Sequence, residues 1–117
     1  MATTVLIVDD HPSFRATARL LLQCEGFDVV GEAEDGASAL AAVLELRPQL
    51  VLLDVQLPDT DGFAVAAQLT GNGHGPDVVL VSSRDGADFG ELVARSGARG
   101  FVAKDELSGA ALRALMR

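Results

Sequence analysis

Four of the five apolar runs in this sequence end in residues that are able to do chemistry. Asp9 and Asp10 follow the first run, and Asp54, Ser82 and Lys104 stand at the ends of three later ones. An acidic pair or a serine in such a place is, by itself, more often a turn or a helix cap. Independent surface residues need not fall at the same end of separate runs, however, so the combination predicts a functional site.

The side chains in this set suit phosphoryl transfer. Clustered carboxylates repel one another, and a hard cation such as Mg²⁺ (or Mn²⁺) relieves that repulsion. We expect Asp10 and Asp54 to hold the metal, with Asp9 beside it. An oxygen of Asp54 would attack phosphorus and form an aspartyl phosphate. The metal, Lys104 and the Ser82 hydroxyl would each stabilise one of the three equatorial oxygens.

The apolar runs alternate with amphipathic helices, and this alternation predicts a parallel sheet covered on both faces. The predicted strands are residues 5–8, 28–33, 50–55, 78–81 and 101–103. In open parallel sheets, ligands bind beyond the carboxyl ends of the strands, near the point where the strand order reverses. The sequence therefore predicts an α/β domain whose polar strand ends lie along one edge of the sheet.

Helix boundaries and faces are also predicted. Pro12 suits the first turn of the helix after the first strand, and Gly26 ends that helix. Asp35 is the expected N-cap of the next helix. The expected inward face of this second helix consists of Ala37, Leu40, Val43 and Leu44.

Composition limits the class of protein. A chain of 117 residues with 49% hydrophobic residues fits one folded domain. The net charge of −8 argues against direct binding of nucleic acid by this domain. No apolar run approaches the roughly 20 residues of a membrane span, and no signal peptide is recognisable, so we expect a cytoplasmic protein. Cys24, the only cysteine, excludes an intramolecular disulfide and is expected to be a small buried residue.

The whole chain resembles the receiver domain of two-component response regulators. Four motifs in the family's order and spacing carry the resemblance: Val8-Asp9-Asp10-His11-Pro12, Asp54 to Gly62, Val81-Ser82-Ser83 and Gly100-Phe101-Val102-Ala103-Lys104. The resemblance implies a flavodoxin-like, doubly wound (βα)5 fold, a three-layer sandwich around a five-stranded parallel sheet. Residues 1–117 would form a single receiver domain, with no output domain in this chain.

The resemblance assigns a role to each residue of the set. Asp54 would accept a phosphoryl group from a sensor histidine kinase or a phosphotransfer protein. Asp9 and Asp10 would be the acidic pair, with Asp10 the more direct Mg²⁺ ligand. Gln56 would offer its backbone carbonyl to the metal, and Lys104 would balance the charge of the phosphoryl group.

The resemblance also implies a switch. Ser82 would move toward the phosphoryl oxygens, and the aromatic ring of Phe101 would rotate into the space that it leaves. The surface formed by the fourth helix, the fifth strand and the fifth helix would then change, as a shift between two packings. A homodimer that forms on phosphorylation is a possible consequence.

Two dipeptides resemble receivers of the NarL/FixJ (LuxR-type) subgroup. These are His11-Pro12 and Lys104-Asp105, where many receivers have proline in place of the aspartate. Receivers of that subgroup usually precede a helix-turn-helix domain that binds DNA, so the expected output is transcription regulation through a domain missing here. Two alternatives stay open: a single-domain regulator, or a truncated form of a transcription factor.

Two rival functions are a phosphohydrolase and a protein-binding module. Phosphohydrolases of the haloacid dehalogenase type use a similar set of Asp, Ser or Thr, and Lys residues, but their nucleophile usually lies in an Asp-x-Asp motif. Here the third position of that motif is Gln56, and no cap domain is present. A degenerate receiver that only binds a protein partner is the other rival. Turnover of an external substrate is therefore not expected, and the chain is not expected to be an enzyme.

Gln56 and Arg84 are predicted to tune the lifetime of the phosphoryl group. Each lies two residues beyond a site residue, where receiver side chains flank the path of the attacking water. We expect the bulk of Arg84 to slow hydrolysis, so Arg84→Ala should autodephosphorylate faster than the wild type in a phosphate-release assay. A faster rate in the wild type would contradict this hypothesis.

Overall fold

The computed structural model describes residues 2–71, 73–83 and 89–116. Its strands are β1 (Thr4–Val8), β2 (Asp28–Ala33), β3 (Leu50–Asp54), β4 (Asp77–Ser82) and β5 (Gly100–Ala103). Its helices are α1 (Pro12–Cys24), α2 (Gly36–Leu46), α3 (Gly62–Thr70), α4 (Gly90–Ser96) and α5 (Gly109–Leu115). A 3-10 turn covers Lys104–Glu106. The predicted alternation of strands and helices is confirmed.

The five strands form one parallel sheet in the order β2-β1-β3-β4-β5. The chain moves from β1 outward to β2, then returns past β1 to β3, so the order reverses between β1 and β3. That reversal leaves a crevice outside the carboxyl ends of these two strands. The fold is the flavodoxin-like, doubly wound (βα)5 sandwich that the sequence predicted, and the polar strand ends lie along one edge of it.

Helices cover both faces of the sheet, because alternate residues of each buried strand point in opposite directions. On one face, Leu6 and Leu53 pack against residues of α2 and α3. On the other face, Ile7 and Leu52 pack against Ala18 and other residues of α1 and α5. After Thr4 at the start of β1, the side chains of β1 and β3 are therefore apolar until the strands end.

The helix boundaries follow the predicted signals. Pro12 is the first residue of α1, and Gly26 follows its end in the left-handed region at φ 92°. Asp35 caps α2, and its carboxylate accepts a hydrogen bond of 2.8 Å from the Ser38 backbone N–H. The longest of the described helices has 13 residues, so none of them is long and apolar enough to cross a membrane.

The predicted inward face of α2 is right for Leu40 and Val43, which are partly buried against the core, and wrong for Ala37 and Leu44. The side chain of Leu44 is 79% exposed and Ala37 is exposed as well, whereas Gly36 and Ala39 are buried. The reason is close packing at the start of the helix, where a side chain on Gly36 would collide with Thr60 and crowd Val65. Small residues, and not Leu44, therefore face the neighbouring loop.

The prediction that Cys24 is buried is also wrong, because its side chain is exposed at the last position of α1. The buried positions of this helix are Ala18 and Leu22. Cys24 lies two residues after Leu22, which is about 200° around the helix and so on the opposite side.

Gly62 brings the first turn of α3 against the end of β3. Its N–H donates a hydrogen bond of 2.7 Å to the Val55 carbonyl, and a methyl group on it would collide with the Asp54 carbonyl oxygen and lie 2.8 Å from Val55 Cα. Both obstacles are backbone atoms, which cannot turn aside. Only a glycine therefore allows α3 to approach this strand so closely.

We predict that Gly62→Ala lowers the free energy of unfolding by about 1–3 kcal/mol, because an added methyl group has no room there. Urea titration followed by circular dichroism would measure the change. Gly90→Ala is the matched control, since a methyl group there meets no atom of the described residues within 4 Å and should be neutral or slightly stabilising. Equal stability of Gly62→Ala and the wild type would contradict the close approach.

Candidate functional site

Two carboxylates lie at the crevice between β1 and β3. Asp9 follows the last residue of β1, and Asp54 is the last residue of β3. The register pairs Val8 with Leu53, so the two acids leave neighbouring strands at the same level. Asp9 is fully buried and Asp54 is 4% exposed, while Asp10 lies exposed at the rim. Burial of two acids this close together requires a positive charge nearby.

Lys104 supplies that charge from the end of β5. Its Nζ lies 2.6 Å from Asp9 Oδ2 and 3.4 Å from Asp54 Oδ2. The second contact is a hydrogen bond, whereas the first is an ion pair without regular hydrogen-bond angles. The ammonium also lies 4.5 Å from the centre of the Phe14 ring, within range of a cation–π interaction. One ammonium thus joins the ends of β1, β3 and β5.

The unequal sharing of Lys104 gives the two acids different electrostatics. Burial alone would raise the pKa of Asp9, but Lys104 and the N–H groups of His11 outweigh burial and hold this pKa below its usual value. Burial raises the pKa of Asp54 above its usual value, and the negative charge of Asp9 adds to this effect. The backbone N–H of Gln56 and the more distant ammonium offset these causes only in part. Of these two buried acids, Asp54 is therefore the one whose ionisation is less favourable in the folded protein.

His11 is a member of the cluster that the sequence reasoning missed as a site residue. Its Nδ1 lies 3.0 Å from Asp9 Oδ1 and 3.1 Å from Asp10 Oδ1, and its backbone N–H donates a 2.8 Å hydrogen bond to Asp9 Oδ1. The position of His11 directly after the acidic pair is the sequence signal that could have identified it. In the sequence analysis, that position supports only the resemblance to the NarL/FixJ subgroup.

Arg15, on the first turns of α1, also holds the loop that carries Asp9. Its Nη1 donates a 2.6 Å hydrogen bond to the Asp9 carbonyl, and its Nε pairs with Glu32 of β2 at 3.0 Å. Arg19 pairs with the other carboxylate oxygen of Glu32 at 2.7 Å. Arg19, and then Arg15, lower the pKa of Glu32 although its partial burial opposes them. The loop between β1 and α1 is thus fixed from α1 and β2.

The residues fit a divalent cation. Carboxylate oxygens of Asp9, Asp10 and Asp54 and a ring nitrogen of His11 all lie within 4.8 Å of one another. Asp9 Oδ2 is buried and has no hydrogen bond of regular geometry within the described residues, although it faces the Lys104 ammonium. Hard divalent cations take such oxygen ligands and keep several waters, which the exposed rim at Asp10 allows. The acidic pocket is therefore compatible with a bound divalent metal.

The loop after Asp54 is fastened at both ends. The Gln56 backbone N–H donates a 3.2 Å hydrogen bond to Asp54 Oδ1, while the Gln56 side chain is exposed. Farther along, the Asp59 carboxylate accepts hydrogen bonds from the backbone N–H groups of Gly36 (2.8 Å) and Ala37 (3.1 Å). These bonds, chiefly that from Gly36, lower the pKa of Asp59. The start of α2 and the phosphoacceptor candidate are thereby linked through one loop.

The two predicted switch residues lie on neighbouring strands. Ser82 is the buried last residue of β4, and the residue before it, Val81, pairs with Asp54. Phe101 of β5 is half-buried, and its ring centre is 5.9 Å from that of Phe89. The Phe89 ring is in turn 5.6 Å from that of Phe63 in α3. The three rings form an aromatic row from α3 to β5. Arg84 lies outside the described residues.

The fold and the site together define a family. Residues 5–116 match the response regulator receiver domain. The chain belongs to that family.

Curated relatives of this chain are named as transcription regulators. It is 40% identical over 106 residues to the positive transcription regulator of virulence factors BvgA of Bordetella pertussis, covering 91% of this chain and 51% of that protein. It is 34% identical over 101 residues to the DNA-binding transcriptional activator EvgA of Escherichia coli K12, covering 86% of this chain and 50% of that protein. The chain thus spans about half the length of these curated relatives.

Solved structures agree with this assignment and with the predicted subgroup. The signal receiver domain assigned to response regulator NarL of Mycobacterium tuberculosis superimposes with a TM-score of 0.86 at 35% identity, covering 98% of this chain and 97% of that one. A LuxR-family response regulator of Aurantimonas superimposes with a TM-score of 0.85 at 26% identity, covering 99% and 86% of the two chains.

We predict that Asp54→Asn stabilises the metal-free protein at pH 7. The folded-state pKa of Asp54 is raised, so its charge destabilises the fold once the pH exceeds the unfolded-state pKa. As the pH falls through the folded and then the unfolded pKa, Asp54 becomes protonated in both states, and the advantage of the variant should disappear.

Urea unfolding in a chelator, from pH 3 to pH 8, would measure this difference. Asp105→Asn is the control, because that carboxylate is exposed and should show no comparable gain. A variant that is less stable than the wild type at pH 7, or a gain that grows toward low pH, would contradict the prediction.

Proposed function

We propose that this receiver domain is a phosphorylation-controlled switch in which Asp54 accepts a phosphoryl group in a reaction that depends on a divalent metal. The observation that carries the proposal is the shared ammonium of Lys104, 2.6 Å from Asp9 and 3.4 Å from Asp54. A structural ion pair needs one acid, whereas a phosphoryl site needs a cation beside the nucleophile and further acids for a metal. The membership of the receiver family supports the same chemistry.

The proposed reaction assigns one task to each group. A carboxylate oxygen of Asp54 forms a bond to phosphorus while the bond from phosphorus to the donor breaks, and the donor keeps that electron pair. The Lys104 ammonium stabilises one phosphoryl oxygen, and the Ser82 hydroxyl donates a hydrogen bond to another. Asp9, Asp10, Asp54 and the Gln56 carbonyl hold the cation. When bound, Mg²⁺ or Mn²⁺ neutralises charge that develops on the transferred group.

The phosphoryl group would then act on the face formed by α4, β5 and α5. Ser82, if drawn toward the phosphoryl oxygens, would leave space beside the aromatic row, and Phe101 would turn into it. Phe101 contacts Phe89, at the start of α4, so its movement would change how α4 packs. The phosphoryl group would therefore shift the population between two packings of this face.

The output of the switch is proposed to be transcription regulation. Curated relatives named as transcription regulators are about twice as long as the segment that this chain matches. We infer that the domain controls a DNA-binding region belonging to the same regulator, with a sensor histidine kinase or a phosphotransfer protein as the phosphodonor. Dimer formation through the altered face would couple phosphorylation of the receiver domain to DNA binding by that region.

Mass spectrometry of the intact chain after incubation with acetyl phosphate and Mg²⁺ tests the phosphoacceptor. We predict a single phosphoryl adduct, which a chelator prevents and Asp54→Asn abolishes. Asp61→Asn is the matched control, because Asp61 lies in the same loop but caps α3 through the Ala64 N–H at 2.8 Å. That variant should still be phosphorylated.

The other outcomes of this experiment discriminate the rivals. No adduct on the folded wild type would favour a domain that only binds protein partners. Steady turnover of a phosphate ester such as p-nitrophenyl phosphate would favour a hydrolase. An adduct that still forms in Asp54→Asn would show that another residue is the phosphoacceptor.

A further inference from the structure

The imidazole of His11 has no task in the proposed phosphorylation, yet it is bound into the metal pocket. Its Nδ1 is almost equally distant from Asp9 Oδ1 (3.0 Å) and Asp10 Oδ1 (3.1 Å), which belong to different residues. The same nitrogen lies within 4.8 Å of a carboxylate oxygen of Asp54. A histidine that only stabilised its own turn would need one of the two nearby carboxylates, Asp9 or Asp10, and not both.

We propose that His11 is a ligand of the divalent cation, and that it shifts the preference of the site from Mg²⁺ toward transition metals such as Co²⁺ and Ni²⁺. The inference rests on the metal site of the proposed function. It adds a specificity-determining nitrogen to a set of ligands that would otherwise consist of oxygens.

The spacing of the donor atoms supports a shared ion. Ligand atoms at right angles around a cation, each at about 2.1 Å from it, are about 3.0 Å from each other. The two distances from His11 Nδ1 to the carboxylate oxygens have this value. In the neutral tautomer with its hydrogen on Nε2, the ring offers a lone pair on Nδ1 to such an ion.

The loop around His11 keeps this nitrogen in place. The His11 backbone N–H donates to Asp9 Oδ1, and Arg15 holds the Asp9 carbonyl at 2.6 Å. Pro12 then begins α1, which fixes the backbone direction directly after the histidine. The imidazole itself is 64% exposed, so water and ions reach it freely.

The chemistry of the ligand determines the direction of the effect. Mg²⁺ binds oxygen ligands and gains little from an imidazole, whereas Ni²⁺ and its neighbours in the first transition row bind imidazole well. His11 should therefore contribute much to the affinity for Co²⁺ and Ni²⁺ and little to that for Mg²⁺.

Isothermal titration of Mg²⁺, Co²⁺ and Ni²⁺ into the wild type, His11→Ala and His74→Ala tests the inference. Loss of His11 should lower the affinity for Co²⁺ and Ni²⁺ by at least about tenfold, which is the scale seen when groups that support a metal site are removed. The affinity for Mg²⁺ should change much less. His74, the only other histidine, precedes β4 at the opposite end of the sheet, so its removal should leave all three affinities unchanged.

Proton NMR of the wild type gives a second readout that needs no variant. Co²⁺ should shift the ring resonances of His11 strongly, because a ligand lies directly beside the paramagnetic ion, and those of His74 should stay in place. Unshifted His11 resonances at saturating Co²⁺ would overturn the inference.

The titrations also separate this inference from the proposed function. Equal weakening for all three metals in His11→Ala would make His11 a positioning residue for the acidic pair and would overturn the selectivity. Tighter binding of all three metals would show that the ring competes with the cation, which also overturns it. Either result leaves the Mg²⁺-dependent adduct on Asp54 intact, whereas failure of the wild type to bind any of the metals would overturn both proposals.

Discussion

One ammonium group is shared by two buried carboxylates, and the arrangement of the rest of the site depends on this contact. Lys104 reaches Asp9 and Asp54 from β5, so the ends of three strands are tied together at the edge of the sheet. Lys104 is also the only lysine of the chain. Without its charge, two acids on neighbouring strands would repel each other in a poorly hydrated crevice. The fold keeps them there because the strand order reverses between β1 and β3.

The loops that carry these acids are held by contacts between side chains and backbone. Arg15 fixes the loop after β1, and Asp59 fixes the loop after β3 to the first N–H groups of α2. Gly62 lets α3 begin directly against the Asp54 carbonyl. Catalytic geometry of this kind depends on positions held within about 0.5 Å, and loops alone rarely supply that precision. The contacts explain how exposed connections can present a defined pocket.

Much of this arrangement could be predicted from the sequence, because it follows from local patterns. Apolar runs that end in Asp9, Asp54, Ser82 and Lys104 indicated the strand ends, and their juxtaposition followed from a parallel sheet. The inward face of α2 was predicted only in part. Leu40 and Val43 pack inward as expected, but hydrophobicity also favours Leu44, whereas the neighbouring loop leaves room only for small residues at the start of the helix. The involvement of His11 was missed for a related reason. The contacts of His11 depend on the backbone path of the turn after β1, and the hydrophobic periodicity of the sequence does not predict that path. The roles of Gln56, Ser82, Phe101 and Arg84 in metal binding, switching and lifetime stay predictions.

The uneven sharing of Lys104 also suggests how the site would pass on a signal under the proposed function. Asp9 holds the ammonium more closely than Asp54 does. Burial, and then the negative charge of Asp9, raise the pKa of Asp54, and the more distant ammonium offsets this only in part. A phosphoryl group on Asp54 would bring more negative charge to the acid that is already less well compensated. The ammonium would then move toward the new oxygens, since the Coulomb attraction in a buried site is strong. Lys104 lies three residues after Phe101, at the end of the same strand. The charge at Asp54 and the aromatic row are therefore joined through β5, in addition to any movement of Ser82 on β4.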